Sequence, residues 1–345
     1  MKRTLVNFNL EGIDYFWKIL EKLESNKTPT EEERDNLFAT TGYKALLMHE
    51  FSKDFFKDNF RKAFMPSMST ELKAALEYRP DRPYLEHYIR VLKLKDLISK
   101  HLEIMDYIRV SEKAIEAARQ YLPSIAMSTI VEVPSVTFII FMNDARGGYG
   151  PVILDALASM EWGDISLFLG HEFHHFYRNR LPFALNFIES DSVEGSLVNV
   201  LISVESEGVA DLINMNQRDT SEPWIQKKER YERQVKLVPD SIRFLDEWII
   251  RNSQSLSEVD REECEAIASN ITDSGHQMGY YMAKAILEHF PLSKLVETVG
   301  NPFAFVKLYQ DAATRTPGLP CLSGQSLDIL LNLEPKYSKQ KNRLS

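Results

Sequence analysis

Residues 171–175 read His-Glu-Phe-His-His, three imidazoles and one carboxylate set among Phe168, Leu169, Phe173, Phe176 and Tyr177. On a helix, positions i and i+4 share a face about 40° apart, so His171 and His175 can each aim one imidazole at a single ion. Glu172 sits one step round from His171, where its side chain can reach a water held by that ion without binding the ion itself. Charged and polar groups in so apolar a helix must be paired or coordinated to offset their desolvation, and one dication does this for all three. The plainer reading is a set of core histidines bonded to backbone or carboxylate partners. His174 points elsewhere on the helix and reads as structural or supporting.

A catalytic zinc takes three protein ligands and a water, so the pair calls for a third. The stretch ESEGVAD, residues 205–211, puts Glu207 and Asp211 at i and i+4 on a second apolar helix. Glu207 is the candidate ligand, and Asp211 would accept the free N–H of a ligating histidine and fix its tautomer. Glu205 competes with Glu207, but the position four residues beyond it is Val209 and supplies no acidic partner. Two solvated surface acids are the bland alternative.

The series His171-Glu172-x-x-His175 followed by Glu207-x-x-x-Asp211 resembles the HExxH and ExxxD pair of gluzincin metallopeptidases, over a segment from about 136 to 310. That resemblance implies zinc as cofactor, Glu172 as general base, Glu207 as third ligand and Asp211 as the group orienting a histidine. EGVAD, with GYYMAKAIL later, is most similar to zinc-dependent protease families of unknown function. The chain departs from the better-known branches: 31 residues lie between His175 and Glu207, more than in thermolysin-like enzymes, and the GxMEN signature of the large aminopeptidases is absent.

Gluzincins also hold the oxyanion of the tetrahedral intermediate with a Tyr or His donor. DSGHQMGYYMAK offers His276, Tyr280 and Tyr281. His276 and Tyr280 share a helical face while Tyr281 lies about 100° away, which favours Tyr280 with His276 beside it. The implied reaction is hydrolysis of a peptide bond: zinc lowers the pKa of its water to about 7, and Glu172 moves the proton to the leaving amine. Three rivals stand beside it. A deformylase-type site needs an upstream cysteine ligand, and both cysteines, Cys264 and Cys321, lie downstream. A di-iron bundle needs a second Glu-x-x-His. A zincin scaffold used only for binding, or an amidase acting on a non-peptide substrate, is separated by experiment.

The elements that must position these residues are legible in outline. The expected fold class is α+β and mostly helical, zincin-like, with a small sheet packed beside the HExxH helix and a helical N-terminal region. Residues 1–125 form that region and 126–345 the catalytic region, or the two make one continuous domain. Ile13, Phe16, Trp17 and Leu20 recur at helical spacing, and Thr30 with Glu33 makes a capping box. STIVEVPSVTFIIFM, residues 128–142, reads as one or two strands around Pro134, and PVILDAL as another. VTFIIFM would offer its edge to an extended peptide, with Asn143 at its end near the cleft. The glycine-rich NDARGGYGP between them reads as a plain connection. Asp164 can cap the motif helix, which ends before Pro182. Residues 193–215 form a second helix, and Asp273 or Ser274 opens a third.

The 345 residues are 44% hydrophobic and 26% charged, with no apolar run long enough to span a membrane. The net charge of −9 argues against nucleic acid. The basic KYSKQKNRLS at the C-terminus reads as a solvated tail. Two cysteines and no secretory signal point to a cytoplasmic protein.

Overall fold

Four short strands organise the sheet: β1 (Asn7–Asn9), β2 (Ser135–Ile139), β3 (Ala145–Arg146) and β4 (Val152–Asp155). In the computed structural model, which describes residues 6–77, 80–130, 132–147, 150–215 and 222–340, their order is β1-β2-β4-β3. β1 and β4 run parallel to β2, with Phe8 opposite Val136 and Phe138 opposite Leu154; β3 runs antiparallel to β4. Everything else of regular structure is helical, so the protein is mostly helical with one small mixed sheet, an α+β arrangement.

The described residues fall chiefly into two compact units. One lies within Met1–Lys113 and Glu132–Glu172, the other within Ala114–Val131, Phe173–Arg218 and Ile225–Ser345. In the first, β2 is apolar on both faces because it is covered on both, as the central strand of a largely parallel sheet must be. Val136, Phe138 and Ile139 are fully buried. The helices Glu11–Glu24 and Thr41–His49 pack against this strand. Phe16, Phe60, Phe64 and Tyr88 form an aromatic cluster behind them. The backbone beyond β2 is tied down by side chains: Tyr43 donates to the Ile140 carbonyl (2.7 Å) and Tyr88 to that of Phe141 (2.9 Å). Buried Asp155, at the end of β4, accepts the backbone N–H groups of Phe141 and Ala158, each at 2.9 Å, and faces His87 Nε2 at 3.0 Å.

In the second unit the helix Val193–Asn214, buried along nearly its whole length, is the central rod. Ser192 caps it by accepting the Gly195 N–H at 3.1 Å. Around it pack the helices Arg261–Asn270, His276–His289 and Pro302–Ala313.

Several expectations hold and several do not. Thr30 and Glu33 form the reciprocal capping box, and β4 lies where PVILDAL placed it. Among the described residues of 128–142 the only strand is β2. Residues 128 and 129, the first of that stretch, instead close the helix Ser124–Thr129, which opens after Pro123. The three residues of β1, inside the expected helical region, went unread. The third helix opens at His276 after a 3-10 turn, Thr272–Gly275. Of the C-terminal basic run, 341–345 lie outside the described residues, but Lys336 and Tyr337 belong to the helix Gly324–Gln340 and both bond to Glu194. That part is no frayed tail: a buried carboxylate needs those donors. Cys264 and Cys321 are not bridged. Among the described residues no helix is long and apolar enough to cross a membrane.

Candidate metal centre

The motif sits on one unbroken helix, Ile165–Arg178. Phe168, Leu169, Phe173 and Tyr177 give it a buried face. Asp164, just before it, accepts the Ser166 backbone N–H at 3.1 Å, satisfying a first-turn donor that the helix itself cannot. Burial opposes the Asp164 charge, but its hydrogen bonds to Ser166 and the Lys113 ammonium outweigh that and hold its pKa below the usual carboxylate range. His171 is buried and His175 half-buried, one turn apart on this rod. His174 Nε2 lies 3.2 Å from the Tyr121 carbonyl, the structural role expected of it.

Glu172 is half-buried, and its carboxylate lies against Gly147, the residue that directly follows edge strand β3. A Cβ at position 147 would overlap the Glu172 Oε2 atom. A side chain there would have to push the Glu172 carboxylate aside, because the backbone itself approaches it. The loop read as a plain connection therefore touches the candidate base; Gly148 and Tyr149, within the same loop, lie outside the described residues.

From the central rod, Glu207 presents Oε2 to His175 Nε2 at 3.1 Å. His175 Nδ1 lies 2.9 Å from Ser206 Oγ. With Nδ1–H donating to that hydroxyl, the Nε2 lone pair is left for a metal, so Ser206 does for His175 what a carboxylate often does for a ligating imidazole. Two residues back, Glu205 has another fate. It is fully buried with Arg178, whose Nε donates at 3.1 Å and whose Nη2 is closer still, and its Oε1 accepts the Gly300 N–H at 2.9 Å. Arg178 Nη1 goes on to the Leu185 carbonyl at 2.8 Å. The structure brings Glu207, and not Glu205, to the histidines.

The helix His276–His289 meets the rod at a glycine pair. A Cβ on Gly208 would overlap the Gly279 backbone, and one on Gly279 would overlap that of Val204 and Gly208. Backbone-to-backbone crossing at these positions brings the flanking side chains together. His276 Nε2 lies 3.3 Å from Glu207 Oε2, and His276 Nδ1 lies 3.1 Å from Asp211 Oδ2. The same Asp211 oxygen accepts from Tyr231 Oη at 2.6 Å, and the phenol also lies 3.2 Å from the His276 carbonyl. Tyr280 stands edge-on to Tyr231, ring centres 5.7 Å apart, with the Lys284 ammonium over its own ring. Burial, then the Asp211 charge, raises the Tyr280 phenol; burial, then Glu288, raises that of Tyr281.

One ligand atom from each of His171, His175 and Glu207 lies within 4.8 Å of the other two, and the same holds for His171, Asp211 and His276. Donors at about 2.0–2.1 Å from a tetrahedral zinc stand roughly 3.3 Å apart, close to the 3.1 Å between His175 Nε2 and Glu207 Oε2. Two imidazoles and a carboxylate are also the donor set zinc takes in hydrolytic sites, so the residues fit the ion.

Ser206, Tyr231, the glycine pair and Gly147 escaped the reading of the sequence. A faint signal existed for each of three: Ser206 adjoins Glu207, Tyr231 is a lone aromatic in a charged run, and glycines inside apolar helices flag close backbone approach. The edge-strand expectation is corrected. β2 lies inside the sheet, paired with β1 over Ser135–Thr137 and with β4 over Val136–Ile139, so it is not the expected edge strand. Asn143 lies beyond it and donates to Glu161 at 3.3 Å.

Across residues 35–318 the chain matches a family described as "Putative zinc dependent peptidase (DUF5700)", and it belongs to that family. Zinc is the cofactor that this membership assigns. No curated protein and no solved structure gives a match.

Proposed function

We propose that the protein is a gluzincin-type, zincin-like peptidase in which His171, His175 and Glu207 hold zinc and Glu172 is the general base. The observation that carries this reading is the convergence of those three donors on one locality, with Glu172 fixed beside them on the same helix as both histidines. Zinc bound there would lower the pKa of a water to about 7 and polarise a substrate carbonyl. Glu172, one step round from His171 and held against Gly147, takes the proton from that water and delivers it to the leaving amine. His276, whose Nε2 stands beside Glu207 Oε2, is the candidate donor to the developing oxyanion when its ring carries both protons. Tyr280, the other candidate donor, packs edge-on against Tyr231. Edge strand β3, leading directly to Gly147, takes the place of β2 as the backbone edge that pairs with an extended peptide. The two unbridged thiols suit a reducing, cytoplasmic setting.

Metal analysis of the purified protein beside a Glu172→Gln variant tests this. Near-stoichiometric zinc in both forms, with peptide hydrolysis lost only in the variant, is the expected result. Zinc without hydrolysis in either form would assign the fold to binding, and turnover of non-peptide amides alone would move the substrate class.

A further inference from the structure

The Asp211 carboxylate is 2% exposed, and a buried carboxylate must be met by donors or lose its charge. Two donors converge on a single oxygen, Oδ2: the Tyr231 phenol at 2.6 Å and His276 Nδ1 at 3.1 Å. The first distance belongs to the range of charge-assisted O–H···O⁻ bonds. Tyr231 has one proton to give, and the ionised oxygen at 2.6 Å outcompetes the His276 carbonyl at 3.2 Å for it. Burial first, and the neighbouring Asp211 charge after it, push the Tyr231 phenol far above its ordinary range, so it remains a donor throughout the working pH.

We propose that Tyr231 is a positioning residue: its phenol pins Asp211 Oδ2, which fixes His276 with Nδ1–H toward Asp211 and Nε2 toward Glu207. This deepens the peptidase reading and rests on it for its consequence in catalysis. The chain of contacts has a direction. Tyr231 is held through its hydroxyl by Asp211 and through its ring by the edge-on contact with Tyr280, and what it fixes is an oxygen rather than a void in the core. A phenylalanine at 231 keeps the ring contact with Tyr280 but leaves Asp211 with one fewer donor. The carboxylate can then turn, and the imidazole that it orients turns with it.

The test uses the full chain with ¹⁵N-labelled histidine, metal-free and zinc-loaded, comparing the wild type with Tyr231→Phe. The His276 signals are assigned by their disappearance in His276→Gln. The expected result is a downfield Nδ1–H resonance in the wild type that is lost or moved upfield in Tyr231→Phe. Zinc content and melting temperature should stay near wild type, while kcat falls about 10-fold and KM stays within about 2-fold, the size of effect that an orienting partner has. An unmoved His276 resonance in a folded Tyr231→Phe protein overturns the proposal, whatever the activity. Should that variant fail to fold, 3-fluorotyrosine introduced at 231 alone makes a stronger donor of the same shape and must move the same resonance; no shift is again a refutation. Because the resonance is read without turnover, absence of Glu172-dependent hydrolysis would sink the peptidase reading and leave the Tyr231–Asp211–His276 chain standing or falling by its own measurement.

Discussion

Glu205 and Glu207 are two residues apart on one helix, and about 200° of rotation separates them. Glu205 points to a region where both of its oxygens are met by fixed donors: Arg178, fully buried with it, and the Gly300 N–H. Glu207 points to a region of imidazoles, His175 on one side and His276 on the other, and keeps about a fifth of its surface exposed. The difference teaches what distinguishes a structural carboxylate from a proposed ligand. Both are desolvated and both sit near cations or their equivalents. Glu205 ends on a residue that cannot give up its proton, so its region is closed chemically. Glu207 ends on two imidazoles, groups that unlike a guanidinium also exist in a neutral form with a lone pair.

Charge-neutralising substitutions should separate the two regions most sharply. Glu205→Gln leaves the Arg178 guanidinium buried without its counter-ion, a loss of about 3–5 kcal/mol of folding stability, read by urea denaturation, with zinc per folded molecule unchanged. Glu207→Gln should do the reverse. Its affinity for zinc, measured by competition with a chelator, should fall on the order of 10³-fold, while the metal-free protein melts near wild type. If Glu205→Gln lost zinc and kept its stability, the two regions would have been assigned the wrong way round.

The glycine crossing tests whether the Glu207 region depends on backbone approach. Gly208→Ala or Gly279→Ala puts a methyl into a neighbouring backbone, and overpacking of this kind costs about 1–3 kcal/mol. Both stability and zinc affinity should drop together, since the helices must separate and take His276 from Glu207. A variant that lost stability but bound zinc as before would show that the cluster does not need the crossing. Gly147→Ala is the complementary probe on the motif helix. It should displace Glu172, lower kcat about 10-fold and leave zinc bound, because the methyl meets the base rather than a ligand. Isothermal zinc titration beside steady-state kinetics reads both quantities.

What was legible in the sequence follows from range. The spacing of His171 and His175, the cap at Asp164 and the i,i+4 pair Glu207 and Asp211 are local relations, and helical periodicity carries them. The preference for Glu207 came from its partner four residues on, yet the decisive fact is the Arg178–Glu205 pair, which joins residues 27 apart on different helices. Tyr231, 20 residues beyond Asp211, was out of reach for the same reason. β1 was missed because three residues carry too little pattern, and its place in the sheet depends on β2 more than 120 residues later. The start of the 128–142 stretch failed differently: residues 128 and 129, expected at the head of a strand, close the helix Ser124–Thr129 instead.

The smallest effect should come at Asp164, which touches neither region directly but sets the start of the helix that carries the motif. Its folded pKa lies below the usual carboxylate value because Ser166 donates to it and Lys113 sits beside it. A depressed folded pKa contributes stability that is complete above the unfolded value of about 3.9 and is lost as pH falls through the folded one. Asn is also a good capping residue, so Asp164→Asn should cost under about 0.5 kcal/mol at pH 7, given how exposed both partners are. The gap between wild type and variant should then close between pH 5 and pH 3, since only the wild type has a charge to lose. Urea midpoints at the two pH values measure this. A gap that widened on acidification would mean that protonation strengthens the cap, and the Ser166 and Lys113 contacts would not be what holds the helix start.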